Sequence, residues 1–163
     1  FVLSCRNAKA LSWDSGNKLG EFLEQMKRII SVDIKTTRPY RAVTSSEDAT
    51  VCFYTGPPFK KGLRLTDHSA FPNKVKFSPS GDFFISVGSD KKIFMYDGKT
   101  GEKVREFSAE DGHTGSIYSF AWSPDSNSII TCRWEGVCWF MRVMGGCVCV
   151  CDRMCSCVDM KVV

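Results

Sequence analysis

The chain has 163 residues, of which 43% are hydrophobic and 25% charged, with a formal net charge of +4 and a pI of about 8.6. These values are ordinary for one globular domain, and no basic stripe accompanies the mild positive charge, so nucleic-acid binding is not expected. No run reaches the ~18 apolar residues that a membrane span needs, and residues 1–12 hold no apolar run typical of a secretory signal. Because the chain begins with Phe1 rather than Met, we expect a fragment, a processed product or an incomplete gene model.

The sequence repeats itself along its length. Aligned apolar residues at Ile34, Phe77 and Trp122 are 43 and 45 residues apart, and Asp48 precedes Asp90 by 42 residues. A period of about 40–45 residues is typical of β-propeller blades, each of which has four short antiparallel strands. The spacing therefore predicts an all-β chain built from similar four-stranded units.

Taken in chain order, the predicted units are incomplete at both ends. We expect the end of a preceding blade at 1–27, complete blades at 28–66 and 71–110, and the start of a further blade at 115–136. Residues 19–30 also have the apolar spacing of an amphipathic helix. The repeat register instead predicts an outer strand, a loop and the start of an inner strand there, and we favour the register because tertiary context overrides local propensity.

Short motifs at equivalent places of the repeat resemble the WD-repeat family. These motifs are Trp13-Asp14 and Tyr96-Asp97 at strand ends, Ser78-Pro79-Ser80-Gly81 in a turn, and Gly112-His113 ahead of a blade. In this family a buried His, a strand Ser or Thr, a turn Asp and a strand Trp form a hydrogen-bonded tetrad. The resemblance implies a structural tetrad of His68, Ser86 and Asp90, with Tyr96 in the place of Trp. Residues His113 and Glu135 would stand in a third tetrad, where Glu departs from the pattern.

Longer strings resemble the actin-interacting protein 1 family more closely. They include SVDIKTTRPYRAVTSSED, GPPFK and YDGKTGEKV, and the resemblance runs from about Ala10 to Thr131. It implies a partial WD-repeat propeller, about three blades of seven. It also implies binding to actin filaments and to cofilin in filament disassembly, and a cytoplasmic location on the actin cytoskeleton. The family usually has a second aromatic residue shortly after GPPFK, whereas Lys61-Gly62 follows here.

The residues do not suggest an enzyme. The two histidines, His68 and His113, both fall ahead of a blade, where a buried structural His is the expected role. No Ser lies in a G-x-S-x-G setting and no phosphate-binding glycine loop is present. We therefore predict no catalytic residue, no cofactor, no metal and no partner in a membrane or nucleic acid.

A binding surface is the more plausible site. In a propeller, the loop ahead of each blade and the turn between its second and third strands open on one face. Here these segments include 45–48, 67–74 and 88–92. Phe71 interrupts a polar loop and is either a binding anchor or packed beneath its own blade. We expect Glu47, Phe71, Lys74 and Lys91 to contact actin or cofilin; the alternative is a general interaction scaffold without a role on actin.

Residues 137–163 form a tail in which the resemblance is lost. Five of the nine cysteines lie in it, at Cys147, Cys149, Cys151, Cys155 and Cys157. A thiolate metal cluster, a set of disulfides, and translation outside the true reading frame each explain the pattern. We favour the third explanation, because a repeated T-G dinucleotide encodes alternating Cys and Val, and we expect a tail that is disordered or not native.

Overall fold

The computed structural model describes residues 2–3, 8–12, 14–22, 25–107, 115–133, 138–143 and 148–151. Trp13, Gly112, His113 and Glu135 lie outside the described residues, as does most of the Cys-rich tail. All regular structure in the described part is β. The strands are β1 (Val2–Leu3), β2 (Ala8–Leu11), β3 (Lys18–Phe22), β4 (Ile29–Ile34), β5 (Arg41–Ser46), β6 (Val51–Thr55), β7 (Lys60–Leu65), β8 (Pro72–Phe77), β9 (Phe83–Gly88), β10 (Ile93–Asp97), β11 (Lys103–Phe107), β12 (Ile117–Trp122), β13 (Ser128–Arg133), β14 (Cys138–Arg142) and β15 (Val148–Cys151).

The strands form four antiparallel sheets in which chain neighbours are also spatial neighbours. Sheet I is β1-β2-β3, sheet II is β4-β5-β6-β7, sheet III is β8-β9-β10-β11 and sheet IV is β12-β13-β14-β15. This order arises because short β-rich runs are separated by tight Gly, Ser and Asp turns, so each strand folds back on the one before it. The all-β prediction with partial propeller blades is confirmed.

The segment with helical spacing is not helical. Residues 18–22 are the outer strand β3, residues 25–28 are a loop and β4 begins at Ile29. The apolar spacing misleads because its members do not share a buried face: Met26 is 84% exposed, whereas Phe22 is buried in the core. The repeat register is therefore confirmed over the helical pattern.

Apolar residues lie between successive sheets rather than within one of them. Phe22 of sheet I packs with Tyr54 of sheet II, and Phe53 of sheet II packs with Phe84 of sheet III. Met95 of sheet III belongs to the cluster that joins it to sheet IV. Each sheet therefore has two buried faces wherever it has two neighbours, as the blades of a propeller do.

Sheet IV continues past the boundary expected at residue 137. Strand β14 pairs with β13 from Cys138 to Arg142, and β15 then pairs with β14. The physical reason is that Met141 faces sheet III and is buried in the shared cluster, so this strand completes an interface. Met141 pairs with Ile129 just as Tyr96 pairs with Phe84, so Met141 occupies the register of Tyr96 and Trp139 does not.

No helix among the described residues is both long and apolar enough to pass through a lipid bilayer.

Candidate functional site

A buried hydrogen-bonded cluster joins the loop ahead of sheet III to its middle strands. The Nδ1 atom of His68 lies 2.9 Å from Oδ2 of Asp90, and Nε2 lies 2.7 Å from Oγ of Ser86. A carboxylate only accepts, so Nδ1–H donates to Asp90, and in the neutral ring Nε2 accepts from the Ser86 hydroxyl. Burial alone would raise the pKa of Asp90, but the contacts from His68 and from the N–H groups of Lys92 and Ser69 outweigh it and lower the pKa.

Tyr96 is the fourth residue of the tetrad that the resemblance implied, and it also contacts a group outside that tetrad. Its hydroxyl donates to Oδ2 of Asp67 over 3.2 Å, and it also interacts with Ser86. Burial and the Asp67 carboxylate raise the pKa of Tyr96, so the hydroxyl stays a donor. Lys103 of the outer strand pairs with the other oxygen of Asp67 over 2.7 Å, so the network reaches from the middle strands to the outer strand of the sheet.

Gly88 is part of this arrangement, and sequence reasoning missed it. A Cβ atom at residue 88 would lie 2.7 Å from Oδ1 of Asp90 and 2.8 Å from Nδ1 of His68. Any side chain here would therefore push the histidine away from its carboxylate. The signal was present in the sequence, because Gly88 directly precedes the Ser-Asp turn.

Sheet II carries the equivalent positions with different residues. Gln25 occupies the position equivalent to His68. Met26, which follows Gln25, donates its N–H to Asp48, just as Ser69, which follows His68, donates its N–H to Asp90. Ser46 takes the place of Gly88, since each pairs with the first residue of its inner strand. A side chain at this position would crowd a histidine ring, as a Cβ atom at Gly88 would crowd His68, which is a physical reason for the two changes to occur together. Gln25 donates through Nε2 to the Thr44 carbonyl over 3.4 Å.

The His68 cluster is closed to solvent. Only 1% of the His68 side chain and 2% of the Asp90 side chain are accessible to solvent. A general base has to reach a substrate proton within hydrogen-bond distance, and this ring has no such access. Among the described residues, no group of three or more metal-ligating side chains is gathered in one place.

The lowered pKa of Asp90 gives an expected pH dependence. Its folded-state pKa lies below the unfolded value of about 3.9, so the unfolded chain binds more protons and stability falls as pH decreases through that window. Replacing Asp90 with Asn removes this contribution, so the variant should lose less stability than the wild type on acidification. Urea unfolding between pH 6 and pH 3 (roughly the range in which carboxylates titrate) measures the two slopes; parallel slopes would contradict the assignment.

The loops ahead of sheets II and III adjoin the turns between their middle strands. We call residues 25–28, 47–50, 66–71 and 89–92 the loop surface. Glu47 N–H donates to the Arg28 carbonyl over 3.0 Å, and Ser89 N–H donates to the Phe71 carbonyl over 2.8 Å. These bonds fix each loop against its turn, so the side chains of the loop surface stand on one rigid edge of the two sheets.

Phe71 and Met26 are the large apolar side chains exposed on the loop surface. Phe71 is 50% exposed, so half of its surface is open to a partner. Met26 is more exposed still, and sequence reasoning missed it because its spacing resembled a helical core position. Arg28 stands in sheet II where Phe71 stands in sheet III, and its side chain is an exposed cation.

The structure brings three of the four predicted contact residues to the loop surface. Glu47 is partly exposed, and Lys91 is exposed in a turn with a left-handed φ of 67°. Lys74 lies apart from them in strand β8, where Nζ donates to Ser119 Oγ of sheet IV over 2.9 Å. This lysine bridges two inner strands, so its ammonium group is less available to a partner than that of Lys91.

Comparisons with known proteins agree with the sheet pattern. Residues 59–97 and 101–140 match the family described as WD domain, G-beta repeat. The chain is 50% identical over 119 residues to WD repeat-containing protein 1 of Gallus gallus, which covers 73% of the chain and 20% of that protein. It is 54% identical over 110 residues to Actin-interacting protein 1-2 of Arabidopsis thaliana, covering 68% of the chain and 18% of that protein. It is 44% identical over 125 residues to Actin-interacting protein 1 of Drosophila melanogaster, which covers 77% of the chain and 20% of that protein. The chain spans about a fifth of the length of these relatives.

Proposed function

This chain belongs to the WD-repeat family of actin-interacting protein 1, and from that membership we propose that it binds actin filaments as part of a β-propeller. The role is that of a non-enzymatic binding module, in the cytoplasm and on the actin cytoskeleton. The relatives' name supports actin as the partner. The observation that carries the proposal in this chain is the half-exposed Phe71, held by its backbone on a rigid loop surface.

The loop surface has the composition of a protein-binding site. Two exposed apolar side chains, Phe71 and Met26, stand among the exposed cations Lys27, Arg28 and Lys91. An aromatic anchor with a charged rim is the usual anatomy of a binding hot spot, in which the anchor supplies affinity and the rim steers encounter. These three exposed cations outnumber the partly exposed Glu47, so the rim favours a partner surface that bears carboxylates, and affinity should fall as salt concentration rises.

Substitution of the anchor tests the proposal. Phe71→Ala removes the exposed ring, and the fraction of protein that sediments with actin filaments should correspond to an affinity about tenfold weaker. Val104→Ala is the matched control, because Val104 is 52% exposed on the outer strand β11, away from the loop surface. Its affinity should equal that of the wild type. Far-ultraviolet circular dichroism of each variant checks that the sheets are intact.

Equal sedimentation of the Phe71→Ala variant and the wild type would remove Phe71 from the contact surface. If the wild type itself does not sediment with filaments, the actin proposal fails and a general interaction scaffold remains.

We further propose that binding assists cofilin in filament disassembly. A protein that binds cofilin-decorated filaments better than bare ones shifts the population toward the altered, more easily severed state. The expected result is a lower sedimentable actin fraction with cofilin and this protein together than with cofilin alone. Glu47 and Lys91, at the rim, should affect the association rate and its salt dependence more than the final affinity. An unchanged actin fraction would leave filament binding without a role in disassembly.

A further inference from the structure

Among the described residues, no sheet covers one face of sheet IV, although the corresponding face of sheet III is covered. In sheet III this face is buried against sheet IV through Ile85, Val87, Ile93 and Met95. The strand registers place Ile130, Cys132, Cys138 and Phe140 at the equivalent positions of sheet IV. No further sheet packs there among those that the structure describes, and Ile130 is 40% exposed where Ile85 is fully buried.

Two cysteine thiols lie side by side on this open face. Cys132 of β13 and Cys138 of β14 are direct cross-strand partners, and their sulfur atoms are 2.8 Å apart. Both residues are partly exposed, and neither forms a disulfide in the structure. Opposite residues of antiparallel strands have Cα separations of about 4.5–5.5 Å, within the range of about 4.4–6.8 Å that a disulfide spans. Val87 and Ile93, which hold the same two positions in sheet III, are beneath the next sheet.

We propose that Cys132 and Cys138 are a redox modification site that closes to a disulfide under hydrogen peroxide. In the first step a thiolate attacks a peroxide oxygen, which gives a sulfenic acid and releases hydroxide, protonated to water. In the second step the other thiol attacks the sulfenic sulfur, forms the S–S bond and releases a second water. Two thiols and one peroxide thus give one disulfide and two waters.

The surroundings of Cys132 lower its reactivity. Burial and the adjacent Cys138 raise the pKa of Cys132 to about 11, so this thiol stays protonated at neutral pH. The thiolate is the reactive form, so the raised pKa disfavours Cys132 as the thiol that peroxide attacks first. Cys138 also pairs through its backbone with Cys151 of β15, so a link from Cys138 to Cys151 is the rival product that the test has to exclude.

Peptide mapping of the full chain tests the assignment without any substitution. Trypsin cleaves after Arg105, Arg133 and Arg142, so residues 106–133 carry Cys132 as their single cysteine and residues 134–142 carry Cys138 as theirs. The native protein is treated with hydrogen peroxide, alkylated and digested at or below neutral pH. We expect the linked pair of these two peptides to be the main disulfide product, with a loss of both free thiols. Cys52 is fully buried, so it should react with the alkylating reagent only after the protein is unfolded.

The control is the same treatment of the urea-unfolded chain, which measures how much of the link forms only because Cys132 and Cys138 are close in sequence. The native fold should give several-fold more of the 132–138 link than the unfolded chain. Three outcomes would each overturn the proposal. They are equal yields in the two states, a main link from Cys138 to Cys151 or another tail cysteine, and two unmodified peptides. A Cys132→Ser variant that still folds should stop at sulfenic acid on Cys138, and the absence of that species would overturn the proposal.

Discussion

Replacing Phe84 with alanine is expected to lower the free energy of unfolding by about 3–5 kcal/mol. Phe84 is fully buried between sheets II and III, where its ring lies 4.9 Å from that of Tyr96 and 5.7 Å from that of Phe53, both stacked. Its edge also meets Phe77 at 5.4 Å. The substitution removes one ring from a stack of three and leaves a cavity at the interface that joins the two blades.

Urea unfolding followed by circular dichroism measures this loss. Phe71→Ala is the control matched for residue type, since Phe71 is half exposed and its removal should cost less than about 1 kcal/mol. A Phe84→Ala variant as stable as Phe71→Ala would contradict the claim that apolar interfaces between sheets hold the chain together.

Replacing His68 with alanine has the second-largest expected effect, a loss of about 2–4 kcal/mol. The imidazole is the shared partner of Asp90 and Ser86, and both would be left buried with a broken hydrogen bond. His68→Gln should lose less, because Gln25 occupies the same position in sheet II and donates to a strand carbonyl there. Equal losses for Ala and Gln would show that ring packing against Phe94, at 4.6 Å, matters more than the hydrogen bonds.

The fold could be predicted from the sequence because the repeat is encoded locally and repeatedly. Alternating apolar residues and Gly, Ser or Asp turns recur at the same register, so the strands in sheets II and III follow from pattern alone. Phe71 was identifiable because it interrupts a polar loop. Met26 was not identifiable, because apolar spacing with a period of 3.6 residues cannot distinguish a helix from a strand followed by a loop.

Other features depend on contacts between distant residues. Nothing local indicates that Lys74 reaches Ser119 of another sheet, 45 residues later in the chain. The coupling of His68 with Gly88, and of Gln25 with Ser46, is visible only when the loop and the strand are superposed in space. The extension of sheet IV through β14 was also missed, since composition changes there while the alternation that buries Met141 persists.

Amide hydrogen exchange of the chain with and without filaments measures whether an actin filament binds the loop surface, as proposed. We expect slower exchange in residues 25–28, 47–50, 66–71 and 89–92, with the outer strands β7 and β11 unchanged. The proposal is wrong if filaments slow exchange in the outer strands and leave exchange in the loop surface unchanged, or if exchange does not change at saturating filament concentration.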